Sequence, residues 1–136
     1  VTGGTMHLIQ AALSFDEADQ ATFDTPETAV SSVNGTTASD SFTSGRDGDW
    51  GADGVIVGAD ATHVAALPAS HAERADNLTG SGEAGAAGEF QSAAAAFTLS
   101  WTISLSASWA MAGVNIRPVA GWTPTSSGHR NFGRKA

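Results

Sequence analysis

Three aspartates, Asp47, Asp49 and Asp53, stand close together in the segment DGDWGADG. Carboxylate oxygens on a tight, glycine-permitted turn are the ligands that calcium prefers, so these residues predict a possible calcium site. The segment departs from a calcium loop because glycine stands at its fifth and twelfth positions, where oxygen ligands are expected. The alternative is a solvated acidic turn that Trp50 anchors to the domain.

Other residue combinations match parts of nucleotide-binding or catalytic motifs. Gly80, Gly82 and Gly85 satisfy the dinucleotide spacing G-x-G-x-x-G, but that motif needs a preceding apolar strand and a following helix, so a flexible loop is favoured. The sequence contains no G-x-S-x-G elbow that would indicate a Ser-His-Asp triad. Carboxylates at 16–19 would suit a glycoside hydrolase, although a surface turn favours simple solvation. We therefore predict no catalytic residues and no enzyme activity.

Two tryptophans are candidates for stacking on sugar rings. Trp50 and Trp122 lie in loop-like sequence, where an exposed indole would provide a flat apolar platform. Trp101, by contrast, lies on the apolar side of a predicted strand and is expected in the core. These positions keep a carbohydrate-binding role open.

The last residues combine positive charge with an aromatic side chain. All fourteen acidic residues lie within 16–89, whereas half of the six Lys and Arg lie within 130–135. Opposite charges steer association and a buried aromatic anchors it, so we predict an arm that docks on the acidic body of a neighbouring subunit. The alternative is a solvated, flexible end. The arm residues are His129, Arg130, Phe132, Arg134 and Lys135.

The composition limits both partners and architecture. The 136 residues carry a formal net charge of −8, and an acidic domain repels nucleic acid and anionic membranes, so we expect neither nucleic-acid binding nor membrane insertion. No cysteine is present for disulfides or thiolate metal sites. Sixteen glycines and only 15% charged residues favour closely packed strands over amphipathic helices.

The stretch 95–118 gives the clearest structural pattern. From 95 to 103 the odd positions are apolar, which is the period of a half-buried strand. A Ser-rich turn is predicted at 104–108, after which the apolar residues fall on even positions until Pro118. We therefore predict a hairpin. Further strands are predicted at 6–15 and 55–59, with a turn at Asn34-Gly35.

The chain resembles the concanavalin A-like jelly-roll modules of bacteriophage virion proteins and bacterial secreted proteins. In such modules a strand ends in Ser-Phe, a loop carries Asp-Gln and Thr-Pro, and a late Ser-Trp-Thr strand precedes a Trp-Ala strand that ends in Arg-Pro. The matching residues are Ser14, Phe15, Asp19, Gln20, Thr25, Pro26, Ser100, Trp101, Thr102, Trp109, Ala110, Arg117 and Pro118.

The resemblance implies an all-β, antiparallel jelly-roll-like β-sandwich over residues 1–120, followed by the basic arm at 121–136. It favours strand or coil over the short helix that the capping-box spacing of Ser70 and Glu73 suggests. Several strands usual upstream of residues 6–15 are missing, so a partner is expected to complete the sheet.

These expectations describe a structural or interaction module on the surface of an assembly. The predicted setting is a bacteriophage virion, as a capsid decoration, fibre or head-associated component held by strand-edge and arm contacts, at the virion surface or outside the cell. Its partners would be other copies of itself or neighbouring virion proteins. A carbohydrate-binding module of a secreted bacterial protein that contacts surface glycans is the alternative, and calcium is the one cofactor considered.

Overall fold

The computed structural model describes residues 12–15, 26–43, 49–78, 80, 82–92 and 96–117. In these ranges the chain forms six strands and no helix. The strands are β1 (Glu27–Phe42), β2 (Trp50–Val57), β3 (His63–Leu67), β4 (Ala72–Leu78), β5 (Ala84–Gln91) and β6 (Phe97–Ile116). Every pairing is antiparallel. The predicted all-β, antiparallel, sandwich-like fold is therefore confirmed.

The long strand β6 organises the sheet, whose order is β1-β6-β2-β5-β4. β1 pairs with both halves of β6 on one side. On the other side β2 pairs with the second half and β3 with the first half. Because β2 and β3 follow one another along the same edge of β6, this strand belongs to both layers of the fold, its second half lying with β2 and its first half with β3.

The sheet curls so that the two halves of β6 face each other across the core. A Cβ atom at Gly113 would lie 3.0 Å from the side chains of both Leu99 and Phe42. A Cβ atom at Gly88 would lie 2.9 Å from Trp101. The interior is filled mainly by the inward side chains of β2, β5 and β6, and its largest fully buried members are Trp101, Phe42, Phe90, Leu99, Ile103, Val55, Val57 and Asn115.

The predicted hairpin at 95–118 is wrong, because β6 runs without reversal from Phe97 to Ile116. Residues 104–108, SLSAS, contain none of the Gly, Pro, Asn or Asp residues that reverse a chain tightly. The strand instead passes through a register shift against β1 near Gly35. Nor does Asn34-Gly35 form the predicted turn, since both residues lie inside β1.

Two further predictions concern single segments. The preference for strand over helix in the region after Ser70 is confirmed by β4. Of the strand predicted at 6–15, residues 12–15 have no regular structure, and residues 6–11 lie outside the described ranges.

Candidate functional site

The inner face of the sheet holds a buried polar cluster around Asp53. Trp101 Nε1 donates a hydrogen bond of 2.5 Å to Asp53 Oδ2, and His71 Nε2 lies 3.0 Å from Asp53 Oδ1. The side chains of His71 and Asp53 are both fully buried. The cluster joins β2, the residue before β4 and the first half of β6, so it ties the two layers of the fold together.

The hydrogen-bond geometry fixes the protons of this cluster. His71 Nδ1 lies 3.1 Å from the backbone oxygen of Ser100, which can only accept, so Nδ1 carries a proton. A second proton must lie between His71 Nε2 and the carboxylate of Asp53, because otherwise two acceptors would face each other. The pair is therefore neutral as a whole, which is the form in which buried ionisable groups are least costly.

A second histidine near the same tryptophan contacts a second carboxylate. His63 Nδ1 lies 2.8 Å from Asp76 Oδ1, and the His63 backbone N–H donates to Asp76 Oδ2 at 3.2 Å. The His63 ring meets Trp101 edge-on at a centroid distance of 6.4 Å, against 4.7 Å for His71. His63 Nε2 is buried and has no partner among the described residues.

These two pairs fit a structural role better than catalysis. Both ring nitrogens of His71 are engaged, and its neighbour Ser100 contributes a backbone carbonyl rather than a hydroxyl. The side chains of both histidines are fully buried, whereas a general base must lie within hydrogen-bond reach of a substrate. Sequence reasoning missed both pairs. The available signal was Asp53, which shares its strand parity with Val55 and Val57.

The structure describes two of the three aspartates of the predicted calcium site. Asp53 lies inside β2 and accepts with both carboxylate oxygens from protein donors. Asp49 is buried just before β2, where its backbone oxygen accepts from the Ser92 N–H at 2.8 Å. Asp47 lies outside the described ranges. No cluster of three or more His, Cys, Asp or Glu suited to a metal occurs among the residues that the structure describes. Calcium binding stays a prediction, which a calcium-dependent melting shift abolished by Asp49→Ala would support.

The glycine motif lies between β4 and β5. Gly80 and Gly82 have φ of 68° and 93°, the left-handed region that favours glycine. Their backbone N–H groups donate to the two carboxylate oxygens of Asp60, at 3.0 and 3.1 Å. Closely spaced backbone N–H groups in a turn bind anions, and here the anion is the carboxylate of Asp60 in the same chain. Gly85 lies within β5 and no helix follows, so the loop interpretation is supported over a nucleotide site.

For the second half of β6, the sequence analysis predicted the wrong face to lie in the core. The odd positions of β6 point inward in both halves, so Met111, Gly113 and Asn115 are buried. Ala110 and Ala112 are consequently exposed, and Val114 and Ile116 are only half-buried. The alternation did not change sides at 104–108, because β6 continues instead of turning back. The second half of β6 thus presents its apolar residues away from the core.

Neighbouring strands extend this surface. Val30 of β1 and Ile56 of β2 both pair with Ala110, one on each side, and they are 78% and 55% exposed. We call this surface the apolar outer face. None of its members is charged, and Glu89 of β5, which pairs with Ala52, borders it. Its members are Thr28, Val30, Trp50, Ala52, Gly54, Ile56, Ala110, Ala112, Val114 and Ile116.

The remaining predicted sites divide between this face and the undescribed parts of the chain. Trp50 is 37% exposed on β2, between Ile116 of β6 and Gln91 of β5. Trp101 is fully buried, as predicted. Trp122 lies beyond the described residues, and so does the whole predicted arm, comprising His129, Arg130, Phe132, Arg134 and Lys135.

Comparison of the chain with protein-family models, curated proteins and solved structures finds no match. The resemblance to concanavalin A-like modules therefore stays a prediction. No helix within the described ranges is long and apolar enough to cross a membrane. The choice of a candidate functional surface therefore rests on geometry alone. We choose the apolar outer face, because its exposed apolar residues make no contribution to the core.

Proposed function

We propose that this chain is a non-enzymatic structural or interaction module that packs against other proteins of an assembly through its apolar outer face. The observation that carries the proposal is the row formed by Val30, Ala110 and Ile56, three exposed apolar residues on adjacent strands. Strands about 4.8 Å apart with a rise of about 3.3 Å per residue give this face an area of roughly 350 Å². Patches of this size on a monomer are often functional.

The setting that fits this proposal is a repetitive assembly, with a bacteriophage virion as the proposed example. There the chain would act as a capsid decoration, fibre or head-associated component at the virion surface. Each copy in such an assembly has neighbours that can cover an apolar face permanently. The acidic body and the basic residues at 130–135 would add contacts of opposite charge between copies.

The burial of the His71–Asp53 pair supports the non-enzymatic part of the proposal. The carboxylate of Asp53 and the ring of His71 satisfy each other within the core, where they link strands rather than face a solvent-accessible cleft. Buried ion-pair networks are often structural, and this one connects the two layers of the fold.

The test compares Ile56→Thr with Val64→Thr. Both replace an exposed β-branched residue by threonine, but Val64 lies on β3, paired with Thr102, away from the apolar outer face. We expect Ile56→Thr to weaken concentration-dependent association in sedimentation velocity and co-purification with capsid or tail proteins, while Val64→Thr does neither. Equal behaviour of the two variants, or a wild-type chain that stays monomeric and binds no virion protein, would contradict the proposal.

A second candidate function is carbohydrate binding, which the partly exposed Trp50 favours. Its indole lies on the apolar outer face and is 37% exposed, so it offers a flat apolar surface to a sugar ring. Glycan-array binding that Trp50→Ala abolishes and Ile56→Thr preserves would support this function over protein docking. An array without signal would leave Trp50 as one more apolar contact of the assembly face.

A further inference from the structure

We propose that the free edge of β1 pairs in an antiparallel manner with β1 of a second copy of this chain, across a two-fold axis near Val30. This inference deepens the proposed function, on which it rests in part, by naming the partner and the contact. In the described ranges β1 has a strand neighbour on one side only, which is β6. The backbone N–H and C=O groups on the other side of an edge strand are a template for another chain.

The two ends of the sheet differ in how they resist such pairing. The other end is β4, which carries Glu73, Arg74 and Asp76 in seven residues, and charged side chains discourage edge pairing. In β1 the twelve residues 28–39, TAVSSVNGTTAS, contain no charge and no proline. In a chain of net charge −8, this uncharged edge is where two copies approach with the least repulsion.

Val30 marks the centre of the contact. Its side chain is 78% exposed, which with Val33 at 77% is the highest exposure of a large hydrophobic residue in the part of the chain that the structure describes. It also lies in the part of β1 whose register is unbroken, because 27–31 pair continuously with 113–109. Opposed residues of an antiparallel pair project on the same face with Cβ atoms about 5 Å apart. Pairing about Val30 therefore buries the two valines against each other and joins the apolar outer faces side by side.

Charge selects this register over a full overlap of the two β1 strands. A full antiparallel overlap would place Glu27 opposite the second copy's Phe42. The second copy's Asp40 would then be a diagonal neighbour of Glu27 at about 7–8 Å, where two like charges disfavour the pairing. Pairing about Val30 places Glu27 opposite Val33 instead. The two Glu27 carboxylates are then about 20 Å apart, given a rise of about 3.3 Å per residue, which exceeds the Debye length of about 8 Å at physiological salt.

The test uses the absence of cysteine from this chain. Under mild oxidation the full chain carrying Val30→Cys is expected to form a disulfide-linked dimer at least about tenfold faster than the chain carrying Val64→Cys, because only the first places the two Cα atoms within the disulfide range of roughly 4.4–6.8 Å. Ile56→Cys is the second comparison. In the proposed dimer its two copies are separated by five strand spacings, about 24 Å, so it also cross-links slowly.

A disruption experiment accompanies the cross-linking. Val30→Lys introduces two like charges at the axis and is expected to raise the dimer Kd at least about tenfold in sedimentation equilibrium, about 1.4 kcal/mol or more, whereas Val64→Lys leaves it unchanged. All three positions are exposed, so the variants retain the core, and circular dichroism verifies this.

The outcomes separate this inference from the proposed function. Rapid cross-linking of Val30→Cys alone supports the β1 pairing. Faster cross-linking of Ile56→Cys than of Val30→Cys would overturn the pairing but support docking through the apolar outer face. A chain that stays monomeric at all concentrations up to about 100 μM would also overturn the pairing. Co-purification with virion proteins would then test the proposed function separately.

Discussion

Replacing Gly88 by alanine is expected to break the polar cluster that joins the two layers. The added Cβ would lie 2.8 Å from Asp53 Oδ1, 2.8 Å from His71 Nε2 and 2.9 Å from Trp101 Cζ2. None of these three groups has room to move freely, because each is buried and bonded to another. The methyl group therefore has to displace the histidine from the carboxylate or push β5 away from β6.

The expected loss follows from two contributions. Overpacking a close-packed core costs about 1–3 kcal/mol, and losing a buried hydrogen bond to a charged group costs about 1.5–3 kcal/mol. Together they lower the free energy of unfolding by about 3–5 kcal/mol, a large part of the 5–15 kcal/mol typical of a domain. The melting temperature is expected to fall by about 10 °C or more.

Gly54 provides the matched control on the neighbouring strand. A Cβ atom there would contact only the backbone oxygen of Ala86, at an ordinary 3.4 Å. Alanine at this position restricts the unfolded chain without a clash, so Gly54→Ala is expected to change stability by less than about 1 kcal/mol, in the stabilising direction.

Urea denaturation followed by far-ultraviolet circular dichroism measures both variants, and near-ultraviolet signals report the environment of Trp101. Two variants within about 1 kcal/mol of each other would refute the reasoning, because the predicted difference exceeds the usual error of extrapolation. It would mean that β5 and β6 are farther apart in solution than the cluster requires.

Three further predictions test other contacts. Asp53→Asn presents an amide donor or a weaker acceptor to His71, and is expected to destabilise the domain by about 3 kcal/mol in urea denaturation. Asp60→Ala frees the two glycine N–H groups of the β4–β5 loop, so hydrogen exchange there should accelerate while global stability changes by about 1 kcal/mol or less. Arg74 donates a hydrogen bond to the carboxylate of Glu89, and this bond raises the pKa of Arg74. The stabilisation by this pair is lost only as pH rises through the raised pKa, so Glu89→Gln should cost less than about 1 kcal/mol, with the same cost at about pH 6 and about pH 9.

Local sequence patterns were sufficient for the class of the fold and for the identity of its main core strand. The alternation at 97–103 predicted that Leu99, Trp101 and Ile103 would be buried, and they are. This succeeds because a strand with one face in the core needs a period of two whatever its partners are. The extended segment after Ser70 was not predicted in this way, because the local capping-box spacing of Ser70 and Glu73 suggested a helix and only the family resemblance favoured strand or coil.

The sequence could not say which face of the second half of β6 belongs inside. Its apolar residues are at even positions, yet the odd positions, including Gly113 and Asn115, point to the core. Gly113 is inside because the two halves of β6 approach each other there too closely for a side chain. Glycine has a nearly neutral hydropathy, so a hydropathy pattern does not indicate that Gly113 is buried. The pattern therefore assigns the even, apolar positions of this half of β6 to the core.

The sequence by itself therefore determined an acidic, cysteine-free, all-β chain with Trp101 in its core. Only the tertiary structure decided that Asp53 and His71, eighteen residues apart, form a hydrogen-bonded pair in the interior, and that the row from Val30 to Ile56 faces outward. The physical reason is that both results depend on how a single strand bends. The curvature of β6 places strands that are distant in sequence on opposite sides of the core. No local sequence pattern predicts this curvature.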